Sequence, residues 1–271
     1  MGPLLTAATM EQLRTARLAG DARLKCSLDL QLSSTVVEID EKMWSWKDRR
    51  YPYPEAGKPR TIYYWNNDSF EPVARYTASL IKLVPTEFGA PTFEIDGIKM
   101  LPSARGSPYT DAQRKVALIR PRGKTILDTC GGLGYFAAWC LRGRASKVLS
   151  FEINPDVIWL RSMNPWSPAK ETALQLIQAD VIDAINSIPA LSIDAVLHDP
   201  PRFGIAGNLY SQSFYDQLSR VLKRRGRVFH YTGTPNRLSG GRDLASEVSK
   251  RLRTAGFSAE KNGDGVLAVK D

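Results

Sequence analysis

The sequence predicts an α/β protein, a parallel sheet covered by helices, preceded by a small β-rich domain. From Thr125 onward, short apolar runs alternate with segments of helical period, which is how parallel strands joined by helical crossovers read. Before about residue 105, two-residue alternation is punctuated by Pro and Gly, the pattern of short strands and turns. With 271 residues, 43% apolar and 24% charged, the chain can bury a core without disulfide or metal support. The expected division is therefore 1–105 for the β-rich domain and 106–271 for the second.

In chain order, Met10 to Ala19 predicts a short helix. Arg23 to Ile39 predicts strand, with Leu24, Cys26, Leu28 and Leu30 on one face before Val36, Val37 and Ile39. Further strands are expected at Thr61 to Trp65, Ser79 to Val84 and Thr92 to Met100, between Pro52, Pro54, Gly57, Pro59, Gly89 and Pro91. Ser103 to Asp111 reads as the linker and Ala112 to Ile119 as a helix entering the second domain. The strands there are Thr125 to Asp128, Lys147 to Glu152, Leu176 to Asp180, Ile193 to Asp199 and Arg227 to Tyr231. Asp243 to Ala255 is an amphipathic helix, with Leu244, Val248 and Leu252 at helical spacing and Gly256 past its end. Phe257 to Lys261 and Val266 to Lys270, joined through Asn262 to Gly265, predict a closing hairpin.

Composition narrows the function classes. No apolar run is long enough to span a membrane and the first ten residues lack a secretory pattern, so the expected location is cytoplasmic. Cys26, Cys130 and Cys140 are an odd, widely spaced set, and His198 and His230 have no ligand spacing around them, so reduced thiols and no metal are expected. The net charge of +9 suits a polyanionic partner without requiring one. Monomer and homodimer both stay open.

The chemistry concentrates at strand ends. Ile126-Leu127-Asp128-Thr129-Cys130-Gly131-Gly132-Leu133-Gly134-Tyr135 is a buried strand ending in an acid and a glycine-rich turn into a helix, where a ligand can lie against backbone. An acid at that turn sits badly beside a pyrophosphate, so Asp128 suits a cationic ligand better than a dinucleotide. The next strand ends in Glu152-Ile153, where a carboxylate can accept both hydroxyls of a ribose. The third ends at Asp180-Val181, an acid able to accept from an adenine amino group. The fourth ends in His198-Asp199-Pro200-Pro201-Arg202-Phe203, a proline-stiffened loop that would fix side chains beside a reacting atom, unless it is a rigid turn only.

These elements together resemble the class I S-adenosylmethionine (SAM)-dependent methyltransferases over about residues 107–271, with a Rossmann-like, seven-stranded sheet implied. The resemblance implies that Asp128, Gly132 and Gly134 hold the amino-acid part of SAM, Glu152 its ribose and Asp180 its adenine. Cys130, Gly131, Tyr135, Ile153, Val181 and Asp199 are expected to touch the cofactor as well. Cys130 stands where the usual turn has its first glycine. Asp199-Pro200-Pro201-Arg202-Phe203 resembles the acid-Pro-Pro-aromatic signature of methyltransferases acting on amino groups, with Arg202 inserted before the aromatic. Asp199 would then orient the acceptor and Phe203 stack on it.

Ala206 to Tyr215, running on to Lys223, is similar to the matching loop and helix of spermidine synthases, which carry an N-terminal β domain and transfer an aminopropyl group to a cationic amine. Leu133 replaces an acid of their glycine turn, and Pro200, Pro201 and Arg202 stand where they carry another. The expectation is thus N-directed methyl transfer, with RNA (tRNA or rRNA) first as acceptor, and aminopropyl transfer or a small-molecule or protein acceptor as alternatives. For RNA, Trp44 to Tyr53 interleaves aromatic and basic residues, and Lys223 to Arg227 is a basic cluster. The first reads equally as a core-packing hairpin, and the second as charges favourable at a helix end. His198 is expected to be buried and hydrogen-bonded. His230 is expected on the substrate side, where a general base is conceivable.

Overall fold

The computed structural model describes residues 2–204, 206–233 and 243–271. Two compact units emerge, one of residues 1–111 with 159–166, the other of 112–158 with 167–271.

The first unit holds three small antiparallel sheets beside the helix Ala7–Ala19, which Thr6 caps by accepting from the Thr9 amide. Arg23 to Ile39 is two strands, Arg23–Cys26 and Thr35–Ile39, rather than one run. Ser27 and Asp29 end the first strand by offering side-chain oxygens to the Gln31 and Ser33 amides, and Leu30 and Gln31 turn to positive φ. Leu28 and Leu30 are still buried, so the apolar alternation reported burial but not strand length. Likewise Thr92 to Met100 is a hairpin, Thr92–Ile95 and Ile98–Lys99, because Asp96-Gly97 takes left-handed φ at both turn positions. Met43–Trp46 and Arg49–Pro52 form a hairpin whose Trp44 and Tyr51 are fully buried and stacked at 4.6 Å between centroids. Both rings belong to this unit's core, with Leu5, Leu13 and Val37, which settles that pair against the base-contact reading of the segment.

The helix Pro108–Ile119 runs from the end of the first unit into the second and starts one turn before the expected Ala112, because Ser107 caps it and Pro108 suits its first position. The seven strands of the second unit are β1 (Thr125–Asp128), β2 (Lys147–Glu152), β3 (Leu174–Gln178), β4 (Ile193–His198), β5 (Leu222–Tyr231), β6 (Phe257–Asn262) and β7 (Gly265–Lys270). Their order is β3-β2-β1-β4-β5-β7-β6, with β7 alone antiparallel to its neighbours. The order reverses at β1, so its carboxyl end and those of β2 and β4 open the crevice where α/β sheets take ligands. On one face the helices Gln212–Val221 and Leu244–Thr254 bring Phe214, Leu218, Val248 and Leu252 onto Val196, Val228 and Ala268. β5 begins earlier than expected. The ladder steps from Ile193–Leu222 to Ala195–Arg227, so Lys223 to Gly226 bulge out of it.

Candidate active site at the strand tips

The turn after β1 is built by its glycines. Gly132 (φ 48°) and Gly134 (φ 81°) take left-handed backbone, and Gly134 caps the helix Tyr135–Arg142. Cys130 needs no positive φ, so a side chain is tolerated in the place of a glycine. The Gly131 amide donates to the Phe151 carbonyl and the Thr129 amide to the Leu197 carbonyl, which clamps the turn to β2 and β4.

Glu152 is fixed by backbone on both oxygens. Oε2 accepts from the Gly132 amide at 3.0 Å and Oε1 from the Asn154 amide at 3.0 Å. Asp180 caps the short helix Val181–Ala184 by accepting from the Ile182 amide at 2.8 Å. These residues share a cleft of about 470 Å³ with Thr129, Cys130, Ile153, Val181, Pro201 and the segment Ala206 to Leu209. Ile153 is 61% exposed at this opening, an apolar side chain without cover.

The charges of three acids reach the Cys130 thiol. Burial pushes the Cys130 thiol well above its ordinary value, and the negative charges of Glu152, Asp199 and Asp128 push the same way while Thr129 opposes. Cys130 is therefore a protonated thiol, unsuited to nucleophilic work. Asp128 itself is fully buried, with Oδ2 accepting from Ser150 Oγ at 2.8 Å, and it stands beneath the turn rather than on the wall of this cleft. Gly131, Gly132, Gly134 and Tyr135 do not line that wall either, and Tyr135 is buried.

The loop after β4 is half inside and half out. Pro200 is buried, Pro201 is exposed and lines the cleft, and Asp199 is half-buried between them and the sheet. Tyr210 donates to the Pro201 carbonyl at 3.0 Å and packs edge-on against Phe203, 36% exposed, at 5.4 Å between centroids. Burial, then the charge of Asp199, raises the Tyr210 phenol, so it stays a donor. Ala206 to Leu209 were not among the expected site residues, although they directly follow the proline turn. Tyr210 ties them back to it.

The histidines form an internal pair, ring centroids 4.4 Å apart. His198 Nε2 faces the Leu209 carbonyl at 3.0 Å, so it carries the proton, and Nδ1 at 2.7 Å accepts from Thr129 Oγ1. His230 has the opposite tautomer, Nδ1 donating to the Tyr231 carbonyl at 2.9 Å and Nε2 accepting from Tyr215 at 3.0 Å. Burial pulls His198 down to about 4 and His230 well below 6.5. The expectation that His230 faces substrate is corrected: it is fully buried with both nitrogens engaged.

Among the described residues no cluster of metal-ligating side chains occurs, and no helix is long and apolar enough to cross a membrane.

No protein-family profile matches the chain. The uncharacterized protein MJ1233 of Methanocaldococcus jannaschii is 40% identical over 214 residues, covering 77% of this chain and 73% of that one. A spermidine synthase bound to the transition-state analogue AdoDATO superposes with a TM-score of 0.59 at 16% identity, covering 73% of both chains. The spermidine synthase of Thermotoga maritima gives 0.56 at 15% identity, covering 73% of this chain and 71% of that one. MnmC2 of Aquifex aeolicus gives 0.53 at 18% identity, covering 73% and 72%. At these identities the likeness concerns the fold, the class I methyltransferase fold that spermidine synthases share.

Proposed function

This chain belongs to the family of the archaeal protein MJ1233, and from its fold and its cleft we propose that it is a SAM-dependent methyltransferase acting on a nitrogen nucleophile. The observation that carries the reading is the cleft at the strand tips, whose wall carries Glu152, held by two backbone amides, and Asp180, with Asp199 in the loop beside it. Carboxylates along one partly desolvated cleft favour a cation, and the sulfonium of SAM is one. The cleft, about 470 Å³, lies within the range of small-ligand pockets and offers Glu152 and Asp180 to a nucleoside.

Bound SAM supplies a methyl group on positively charged sulfur. Glu152, immobilised by two amides, would accept the ribose hydroxyls with little side-chain freedom left to lose. Asp180 would accept from the adenine amino group, with Ile153, Val181, Ile182 and Leu209 flanking the base. Cys130 and the Gly131 to Gly134 turn would face the amino-acid end, with Asp128 acting through its charge from below. Asp199 would accept hydrogen bonds from the acceptor amine and aim its lone pair, held by a loop that Pro200 stiffens and Tyr210 ties down. We place RNA first as acceptor class, supported by the net charge of +9 and by the exposed Phe203 ring, which can stack on a base.

Aminopropyl transfer is the second reading, favoured by the same acids, which would also suit a polyamine, and opposed by the exposed Arg202 beside them. Calorimetry with SAM and with decarboxylated SAM separates the two, the tighter ligand naming the chemistry. Labelled SAM incubated with fractionated RNA, protein and metabolites identifies the acceptor. Asp199→Ala is expected to cut turnover at least about 100-fold while SAM binding changes less than about threefold. Full turnover in that variant would reject Asp199 as the acceptor-orienting group.

A further inference from the structure

The opposite edge of the same sheet carries a second cavity, of about 700 Å³, at the amino ends of the parallel strands. Arg120, Lys124, Arg224, Arg225, Arg227 and Lys270 line it. A single acidic side chain joins them, Asp271, and it accepts from Ser258 Oγ at 2.8 Å. Lys124 immediately precedes β1, Lys270 ends β7, and the bulge in β5 throws Arg224 and Arg225 outward, with Arg225 in left-handed backbone at φ 59°.

Half of this charge has a structural explanation. Lys124 donates to the Ile119 carbonyl at 2.7 Å and Arg227 to that of Leu118 at 2.9 Å, at the carboxyl end of one helix. Lys270 donates to the Ser219 and Leu222 carbonyls at 2.7 and 2.8 Å, at the end of another. The side chains of Arg120, Arg224 and Arg225 have no ion-pair or hydrogen-bond partner among the described residues, whereas that of the neighbouring Lys223 has Asp194 at 2.7 Å. Burial, then Arg227 and also Arg120, lower Lys124 against a partial offset from Asp194, and burial, then Arg224, lower Lys270. The cations thus repel one another across a concave wall, which is a cost unless an anion enters.

We infer that this cavity is a phosphate-binding site, in which the three unpaired arginines fork onto phosphate oxygens while Lys124, Arg227 and Lys270 form its fixed positive floor. It is separate from the active-site cleft, since β1 and β2 place the two at opposite strand ends, roughly 15–20 Å apart. It therefore anchors a phosphate and does not present the reacting atom. The inference stands without the methyltransferase reading. The phosphates belong either to a small oligophosphate or to an RNA backbone, long enough to reach from this edge to the other.

The test compares the full chain with Arg120→Ala/Arg224→Ala/Arg225→Ala, and with Lys42→Ala/Lys58→Ala/Lys99→Ala, three exposed cations of the first unit, as a charge-matched control. Tripolyphosphate and a single-stranded RNA oligonucleotide are titrated separately, by calorimetry and by fluorescence anisotropy. The expected result is that at least one probe binds the wild type and the control, and binds the triple variant at least tenfold more weakly. Tripolyphosphate should raise the melting temperature of the first two proteins but not of the third. Tighter binding of RNA, with a salt slope that shrinks in the triple variant, assigns the site to nucleic acid; tripolyphosphate binding alone assigns it to a small anion. Equal binding by wild type and triple variant, or no binding of either probe to the wild type, overturns the inference. An unchanged far-ultraviolet circular dichroism spectrum and a cooperative thermal transition in the triple variant show that it is still folded.

Discussion

At the residue scale, Glu152 joins structure to the proposed ligand. Its carboxylate satisfies the amides of Gly132 and Asn154, so Glu152→Ala removes two charge-assisted hydrogen bonds together with the proposed ribose acceptor. Cofactor affinity should fall by about 100-fold, roughly 3 kcal/mol, read by calorimetry, while Glu152→Gln should lose less because its amide oxygen still accepts one bond. The histidine pair has a different consequence. In the unfolded chain both rings take up a proton near 6.5, whereas folded His198 does so only near 4 and burial holds His230 well below 6.5 as well. Between those values the unfolded state binds more protons, so stability that is complete above 6.5 declines as pH falls toward 4. His198 alone contributes about 3 kcal/mol to that decline. Urea denaturation at pH 7.5, 5.5 and 4.5 checks this, and a flat profile over that window would contradict two buried neutral rings. The placement of the acids at 152, 180 and 199 at or just past strand ends was legible because each follows a short apolar run. His230 was misplaced because the residue pattern marks the end of β5 but not its burial, which depends on β7 returning alongside it.

At the scale of elements, the register of β5 with β7 depends on one small residue. Gly265 sits opposite Tyr231, and a β-carbon there would run into the His230 carbonyl oxygen and the Phe229 ring. Gly265→Ala should therefore cost about 1–3 kcal/mol in chemical denaturation, whereas Gly106→Ala, with open space around it, should change little. The parallel strands, the amphipathic helix after Asp243 and the closing hairpin were all readable from period and turn chemistry. Elements ended by side-chain competition were not. Ser27 and Asp29 cut short a strand whose apolar alternation continued, and the bulge in β5 left no mark in a run that reads simply as basic.

At the scale of the whole molecule, a charge of +9 acts against compactness, and the cationic cavity concentrates that effect. Raising sodium chloride from about 0.02 to 0.2 M shortens the Debye length from roughly 20 to 7 Å and should raise the melting temperature, by less in the triple arginine variant than in the wild type. A melting temperature indifferent to salt would argue that the charges are already balanced. The unit made of residues 1–111 also claims 159–166. Trp166 donates to the Leu30 carbonyl at 3.0 Å, and Trp159 lies against Tyr64 and under Arg75. A ribosome delivers the amino-terminal strands well before those two tryptophans, at about 5–20 residues per second. The nascent chain must then wait several seconds, with Tyr64 and Arg75 uncovered, before its first-made part can close.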